Sequence, residues 1–249
     1  MKQKIYQIDA FTNTVFSGNP AAVCILESWP SDELMQNIAA ENNLAETAFA
    51  VPFGKDYELR WFTPELEVDL CGHATLATAY VLFNYYGFKE NTLRFISPRS
   101  GELLVERNAN GTMTMDFPTD DLQSVQSQQN INDAIGKTPQ ETFKGKTDYL
   151  LIYESQADIE NITPNFHLLN ELDCRGVIVS APGNEVDFIS RFFAPQCGIP
   201  EDPVTGSAHT TLIPYWSPKL GKTLMSAKQL SERGGDLKCE YLGNRVKIS

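Results

Sequence analysis

Three side chains in this sequence could carry acid/base chemistry, namely Glu46, His73 and Asp202. Glu46 lies among apolar neighbours, in the segment Asn-Leu-Ala-Glu-Thr-Ala-Phe of residues 43–49. A carboxylate with such neighbours is suited to accept a proton near neutral pH, because burial disfavours its charged form. His73 and Asp202 each lie in a short polar turn that leads into an uncharged stretch. This set of residues predicts a site for proton transfer.

Each of these residues also has a purely structural interpretation. A glutamate that follows a helix is usually a surface charge, a histidine at a helix start can bond locally, and Asp before Pro is common in turns. Asp69, Ser207 and His209 are further polar groups near the two turns. Ser207 and His209 lack the Gly-x-Ser-x-Gly elbow of serine hydrolases, and hydrolysis by Ser207 stays open as an alternative.

The two polar turns belong to an internal repeat. Residues 60–65 (Arg-Trp-Phe-Thr-Pro-Glu) return 131 positions later as residues 191–196 (Arg-Phe-Phe-Ala-Pro-Gln). Each copy leads through an acidic turn and a glycine, Gly72 or Gly206, into the uncharged stretch. We interpret this as strand, polar turn, glycine and buried helix written twice. Helix N-terminal amides bind carboxylates and phosphates, so the two helix starts would form an anion site in a cleft between two lobes.

The elements that must position these residues are mainly short strands. Predicted strands cover residues 5–10, 21–26, 44–51, 57–62, 93–96, 102–106, 112–117, 148–153, 176–180, 187–194, 225–230 and 237–248, the last as a hairpin around residues 243–244. Predicted helices run from an N-cap at Ser31 to residues 42–43, from Gly72, around residues 131–135, around residues 164–172, and from Gly206 to a bend or end at Pro214. Glu46 thus falls where a helix gives way to a strand.

The length and pattern of the chain predict two similar lobes. With 249 residues the chain is long enough for two lobes of ordinary size. The polar, glutamine-rich segment that follows residue 118 is the natural boundary. We therefore expect an N-terminal lobe of residues 1–118 and a C-terminal lobe of residues 119–249, with terminal strands free to cross between them.

Composition excludes several classes of partner. The formal charge of −12 argues against nucleic acid, because a phosphate backbone requires a face rich in Lys and Arg. The uncharged stretch of residues 70–88 is too polar and its helical part too short for a membrane span. A small anionic substrate needs a local positive potential, which the helix starts would provide.

The cysteines and the N-terminus favour a cytoplasmic protein. Five cysteines without a Cys-x-x-Cys pair indicate neither a disulfide framework nor a structural zinc site. Asp9 interrupts the N-terminal segment before a hydrophobic region can form, so no signal peptide is predicted. Motifs for a metal, ATP or a dinucleotide are missing from the sequence, so no cofactor and no metal are predicted.

Four motifs, read in order, resemble the PhzF family of phenazine biosynthesis-like isomerases, which shares its fold with diaminopimelate epimerase. They are residues 18–23 (Gly-Asn-Pro-Ala-Ala-Val), residues 43–49, residues 67–75 (Glu-Val-Asp-Leu-Cys-Gly-His-Ala-Thr), and residues 201–209 (Glu-Asp-Pro-Val-Thr-Gly-Ser-Ala-His). Together they span most of the chain.

The resemblance implies an α+β fold of two similar lobes, each a curled, barrel-like β-sheet around a central helix, and a homodimer as the usual assembly. It also implies isomerisation without a cofactor. Glu46 would take a proton from a carbon atom and return one elsewhere, and His73 and Asp202 would hold polar groups or assist. Gly72, Gly206 and Ser207 would bind the substrate.

Two departures refine this expectation. Diaminopimelate epimerase-like enzymes use a pair of cysteines at the two helix starts, whereas Thr205 stands opposite Cys71 here, so a two-thiol mechanism is excluded and Cys71 is expected to be a small core residue. Ala45 replaces the serine that many PhzF proteins have before the glutamate. We expect an isomerase acting on a small carboxylate-bearing metabolite, and the alternative is a non-catalytic protein that binds or senses small anions on the same scaffold.

Overall fold

A computed structural model describes residues 2–249, and the contacts of the chain divide it into two compact units. Unit 1 extends through Asp116 and includes Ser249, and unit 2 is Phe117–Ile248. No helix between Lys2 and Ser249 combines the length and the apolar character that crossing a membrane requires.

Unit 1 contains eight strands and two helices among the described residues. In chain order they are β1 (Tyr6–Ala10), β2 (Asn19–Ile25), α1 (Asp32–Asn42), β3 (Glu46–Phe53), β4 (Asp56–Phe62), β5 (Glu67–Val68), α2 (Gly72–Tyr85), β6 (Thr92–Ser97), β7 (Gly101–Arg107) and β8 (Met113–Pro118), within which the division falls. The strands follow the order β1-β2-β3-β4-β6-β7-β8, with β5 added beside β4. Strands β2 and β3 are parallel, β3 and β4 antiparallel, and β4 and β6 parallel.

Unit 2 repeats this plan. Its elements are β9 (Gln123–Val125), α3 (Gln129–Ile135), β10 (Glu141–Lys144), β11 (Asp148–Ile152), α4 (Gln156–Glu160), α5 (Phe166–Asn170), β12 (Gly176–Pro182), β13 (Phe188–Phe193), a 3-10 turn (Pro195–Cys197), α6 (His209–Leu220), β14 (Leu224–Gln229), β15 (Gly235–Tyr241) and β16 (Arg245–Ile248). Strands β11 and β12 are parallel, β12 and β13 antiparallel, and β13 and β14 parallel. The same succession of pairings in both units confirms the internal repeat.

The long helix of unit 1 is the centre of its core. Helix α2 contains no Asp, Glu, Lys or Arg, and ten of its fourteen side chains are buried. It packs against β1, β2, β3 and β7. A helix that is apolar on nearly all sides requires such an enclosure, so the sheet curls around it as the sequence predicted.

The long helix of unit 2 differs from the prediction at both ends. It was expected to begin at Gly206 and to bend or end at Pro214, but it begins at His209 and continues through Pro214 and Pro218 to Leu220. Proline removes the backbone bond to the carbonyl four residues earlier. That carbonyl, of Thr210, accepts a bond of 3.1 Å from the backbone N–H of Asp120 instead. A donor from outside the helix thus satisfies the carbonyl that Pro214 leaves without a helical bond.

The sequence also failed to predict two short strands in unit 2. Strand β9 lies in the polar segment that was assigned to a lobe boundary, and β10 follows α3. Strand β10 pairs with β9 on one side and with β11 on the other. Neither strand has the alternation of apolar and polar residues that marks a strand in sequence, because tertiary pairing rather than local preference forms them.

Candidate active site

Glu46 and His73 meet inside unit 1. Helix α1 ends at Asn42 and is capped by Asn43, which has a left-handed backbone (φ 49°) and donates its N–H to the carbonyl of Ala39. The chain thereby turns so that Glu46 becomes the first residue of β3, while His73 lies in the first turn of α2. Glu46 Oε2 lies 3.1 Å from His73 Nε2. Both residues are at least nine-tenths buried, so the contact is shielded from water.

The contact is close but poorly aligned. At 3.1 Å the two atoms are within ion-pair range, yet neither Glu46 Oε2 nor His73 Nε2 makes a hydrogen bond of normal geometry. Catalytic hydrogen bonds are often misaligned before a substrate arrives. The pair therefore retains unused hydrogen-bonding capacity in a buried location.

The charges in this pair favour a protonated histidine. Burial alone lowers the pKa of His73, but contacts with Cys71 and with the Glu46 carboxylate raise it more, so the pKa lies well above its ordinary value. Burial raises the pKa of the Cys71 thiol, and the Glu46 charge acts in the same direction. The Glu46 charge therefore disfavours ionisation of the thiol and favours a proton on His73.

Cys71 is the N-cap residue of α2 and is buried as predicted. Its side chain makes no capping bond to the helix backbone. Its Sγ lies 3.5 Å from Nδ1 of His73, so the sulfur approaches one ring nitrogen while Glu46 approaches the other. Gly72 follows as the first residue of the helix, where backbone amides have no partner within the helix.

Asp202 lies in unit 2, in a turn that is held by buried hydrogen bonds. Its Oδ2 accepts a bond of 2.5 Å from the Thr205 hydroxyl. The buried amide of Gln229 donates to the Asp202 carbonyl at 2.8 Å and accepts from the Thr205 N–H at 2.9 Å. Asp202 is nine-tenths buried. The turn is therefore rigid before any ligand binds.

Ser207 stands beside a positive charge that the sequence analysis did not identify. Arg175 Nη2 donates to the Ser207 hydroxyl oxygen at 3.2 Å. The guanidinium is held by Asp148, to which Nε donates at 2.9 Å and Nη2 donates as well. It also lies over the ring of Phe192. Gly206 precedes Ser207 in the turn before α6. It was expected to be the first residue of the helix, but it lies outside the helix.

His209 and Asp69 do not form part of a catalytic group. His209 is fully buried, its Nδ1 lies 2.9 Å from the Thr205 carbonyl, and burial lowers its pKa to about 4. It is a neutral structural residue whose Nε2 has no hydrogen-bond partner, so it cannot activate Ser207 by contact. The side chain of Asp69 is about three-quarters exposed and pairs with Arg99 at 3.1 Å. His209 is therefore not the base that a serine hydrolase acting through Ser207 would require.

Strand register identifies the position in unit 2 that corresponds to Glu46. Thr47 pairs with Phe62 in unit 1, and Val177 pairs with Phe193 in unit 2. Because the two phenylalanines are equivalent in the repeat, the residue before Val177, Gly176, stands where Glu46 does. A Cβ atom on Gly176 would lie 2.4 Å from the ring of Phe192. Unit 2 therefore has no room for a base at this position.

A pair of matching ion pairs holds the turns of both units. Arg60 binds the Glu67 carboxylate with two bonds of 2.7 and 2.8 Å, and Arg191 binds Glu201 with two bonds of 2.7 and 2.9 Å. The two arginines could be found from the sequence, because they occupy the same place in the two copies of the repeat. Gln229 could not, since a lone glutamine in a strand has no characteristic spacing.

Comparisons with known proteins identify the family of this chain. The family model described as "phenazine biosynthesis-like protein" matches residues 8–248. An uncharacterised isomerase of Pseudomonas aeruginosa is 49% identical over 249 residues, which cover 100% of this chain and 95% of the relative. A crystal structure of a PhzF family phenazine biosynthesis protein from Enterococcus faecalis has a TM-score of 0.96 at 50% identity and covers 100% of this chain and 95% of that one.

A more distant structure shares the fold alone. A predicted epimerase from Pseudomonas aeruginosa has a TM-score of 0.71 at 18% identity and covers 99% of this chain and 95% of that chain. The comparisons confirm the resemblance, the α+β fold with its curled sheet, and the isomerase class that the sequence predicted.

Proposed function

Because the chain belongs to the phenazine biosynthesis-like PhzC-PhzF family, we propose that it shifts a proton within a small carboxylate-bearing metabolite, with no cofactor and with Glu46 as the base. The observation that carries this proposal is the buried contact of 3.1 Å between Glu46 and His73. An ionised carboxylate that is held next to a protonated imidazole can accept a proton on one side while the imidazole stabilises negative charge.

The proposed reaction is balanced without a co-reactant. The Glu46 carboxylate removes a proton from a carbon atom, and the electron pair of that C–H bond moves into the adjacent unsaturated or carboxyl-bearing part of the substrate. Glu46 then returns the proton to another carbon, so substrate and product are isomers. His73 and the amide of Gly72 would stabilise the charge that develops in between.

The remaining predicted residues are assigned to substrate binding in this proposal. Asp202 would hold a polar group of the substrate or assist the transfer, and Gly206 and Ser207 would bind through a backbone amide and a hydroxyl. The guanidinium of Arg175 beside Ser207 supports this assignment, since it places a charged N–H donor next to the Ser207 hydroxyl. The homodimer and the cytoplasmic location stay predictions.

Hydrogen exchange with solvent tests the proposal directly. The protein is incubated in D₂O with a panel of small unsaturated or cyclic carboxylic acids, and deuterium at carbon is followed by NMR. We expect exchange with at least one acid, and a loss of about 10²- to 10⁴-fold in Glu46→Gln with ligand affinity retained.

The matched control is Glu102→Gln, an exposed glutamate of β7, which should exchange at the wild-type rate. Tight binding of an acid with no exchange in the wild type would favour the alternative, a protein that binds small anions without catalysis. Unchanged exchange in Glu46→Gln would reject Glu46 as the base.

A further inference from the structure

Three different kinds of metal ligand meet at the Glu46 site. A carboxylate oxygen of Glu46, the sulfur of Cys71 and a ring nitrogen of His73 all lie within 4.8 Å of one another, and all three residues are buried. We propose that this cluster binds a zinc ion, and that the bound ion inhibits the protein by occupying the proton-transfer site. The ion would be an inhibitor and not a cofactor, so this inference goes beyond the proposed isomerisation.

The donor atoms select zinc over the hard cations. A thiolate and an imidazole favour zinc and similar metals, whereas magnesium and calcium prefer oxygen ligands. Three protein ligands with a fourth position left for water or a substrate oxygen are typical of exposed or catalytic zinc sites, while structural sites are closed by four. The set of Glu46, Cys71 and His73 offers three such ligands.

The spacing of the donors is close to that of a tetrahedral site. Usual zinc–ligand lengths place neighbouring ligand atoms roughly 3.3–3.6 Å apart. The Glu46 oxygen and the nearer His73 nitrogen are already 3.1 Å apart. One ligand atom of each residue lies within 4.8 Å of the other two. Cys71 faces Nδ1 and Glu46 faces Nε2 of the imidazole, so the His73 ring has to turn and present a single nitrogen for all three donors to meet one ion.

Two buried polar atoms of the cluster lack a hydrogen bond of normal geometry. They are Glu46 Oε2 and His73 Nε2, and the Cys71 side chain does not cap its helix. Unsatisfied buried polar groups are costly. A zinc ion would satisfy the lone pairs of these donors at once.

Zinc binding should release protons from its ligands and block the oxygen atom that acts as the proposed base. Zinc replaces the thiol proton of Cys71 and any proton on the ring nitrogen that it takes, and these protons leave to water. The Glu46 oxygen that would accept a substrate proton is then bonded to the metal. Isomerisation should stop when zinc binds and resume when a chelator removes it.

Cobalt(II) provides a readout that does not depend on turnover. The full chain, prepared without a histidine tag and freed of metal, is titrated with Co²⁺ alone. We expect the near-ultraviolet charge-transfer band of a cobalt–thiolate bond, and we expect one equivalent of Zn²⁺ to abolish it. The Cys71→Ser variant should lose the band and bind zinc at least about tenfold more weakly, since even an outer-shell change costs about 10- to 100-fold.

The control variants are Cys239→Ser, which removes a buried thiol elsewhere, and Cys197→Ser, which removes an exposed one. Both should keep the band. A band that persists in Cys71→Ser, that disappears in either control, or that never forms would overturn the proposal. Should Cys71→Ser not fold, zinc X-ray absorption on the wild-type protein decides the question, because the site requires one sulfur at about 2.3 Å and an all-nitrogen-and-oxygen shell would reject it. None of these signals depends on finding a substrate, so failure of the proposed isomerisation would be seen separately.

Discussion

The two copies of the repeat share a scaffold and differ in their chemistry. In unit 1 the first residue of β3 is Glu46, and its carboxylate faces His73. In unit 2 the equivalent first residue of β12 is Gly176, and the ring of Phe192 fills the space. The sheet pairings are the same in both units. The same position is thus occupied in both units, by the carboxylate of Glu46 in unit 1 and by the ring of Phe192 in unit 2.

The buried histidines show the same division. Contacts with Cys71 and Glu46 outweigh burial at His73 and raise its pKa. At His209 the carbonyl of Thr205 does not offset burial, which lowers the pKa to about 4. The buried histidine of unit 1 thus favours the protonated form, and that of unit 2 the neutral form. In unit 2 the turn before α6 is fixed instead by hydrogen bonds between Gln229 and Thr205.

The largest expected difference between the copies is in proton transfer. We expect His73→Asn to lower the rate of solvent hydrogen exchange into a substrate by about 100-fold or more, because the cation beside Glu46 is lost. His209→Asn is the matched control, since an asparagine amide can still donate to the Thr205 carbonyl. Exchange rates measured by NMR under saturating substrate test this, and equal losses in both variants would contradict it.

The pH dependence of stability should also separate the copies. The unfolded chain takes up a proton at His209 below pH about 6.5, but the folded chain does not until about pH 4. Stability from His209 is therefore fully present above pH 6.5 and falls by ~3 kcal/mol as the pH drops to 4. His73 acts in the opposite direction, since its contribution is present below pH 6.5 and is lost as the pH rises through its raised pKa.

Urea unfolding between pH 4 and pH 8 measures this contribution. The His209→Asn variant should lose ~3 kcal/mol less than the wild type over the acid half of the range. Its lower absolute stability is irrelevant, because only the slopes are compared. Parallel curves for the two proteins would show that His209 is not the excluded proton site.

Crowding at the position that corresponds to Glu46 can be tested by adding one methyl group. Gly176→Ala should cost about 1–3 kcal/mol of stability, because its Cβ would lie 2.4 Å from the Phe192 ring. In a Phe192→Leu background the same change should cost clearly less. A double-mutant cycle by chemical denaturation gives the coupling, and additive effects would mean that Phe192 does not occupy this space.

The smallest effects should come from the arginines of the two turns. Arg60→Lys and Arg191→Lys each keep the charge but lose the paired bonds to Glu67 and Glu201, so each should cost about 1 kcal/mol. Arg191→Lys should cost the more of the two, because Arg191 also donates to the carbonyls of Ile159 and Ile162. Thermal or urea unfolding of both variants measures this. A cost in only one copy would show that the turns of the two units are not supported in the same way.

Local sequence predicted the parts of the fold that local chemistry determines. The N-cap at Ser31 and the acids of the next turn specify the start of α1. The uncharged stretch specifies α2, and the apolar run of residues 176–180 specifies β12. The repeat also predicted that Arg60 and Arg191 would recur in equivalent places. These features depend on residues close together in the chain.

The parts that sequence missed depend on distant partners. Gln229 has no motif, yet it fixes Asp202 and Thr205 from another strand. Arg175 acquires its importance from Ser207 and Asp148, which are far from it in sequence. The contact between Glu46 and His73 could be anticipated only from the family resemblance, because no spacing rule links a strand start to a helix start.

The proline in α6 has a consequence for how unit 2 folds. The carbonyl of Thr210 is satisfied by the backbone of Asp120, and the next residue, Thr211, donates to the Asp120 carboxylate at 3.0 Å across a separation of 91 residues. Helix α6 therefore cannot complete its hydrogen-bond ladder as an isolated segment. These two bonds form only when a long loop closes, and loop closure of this kind is slow compared with helix growth. Helix α2 contains no proline, so in the half of the chain with the proposed base the hydrogen bonds of the central helix need no such distant donor.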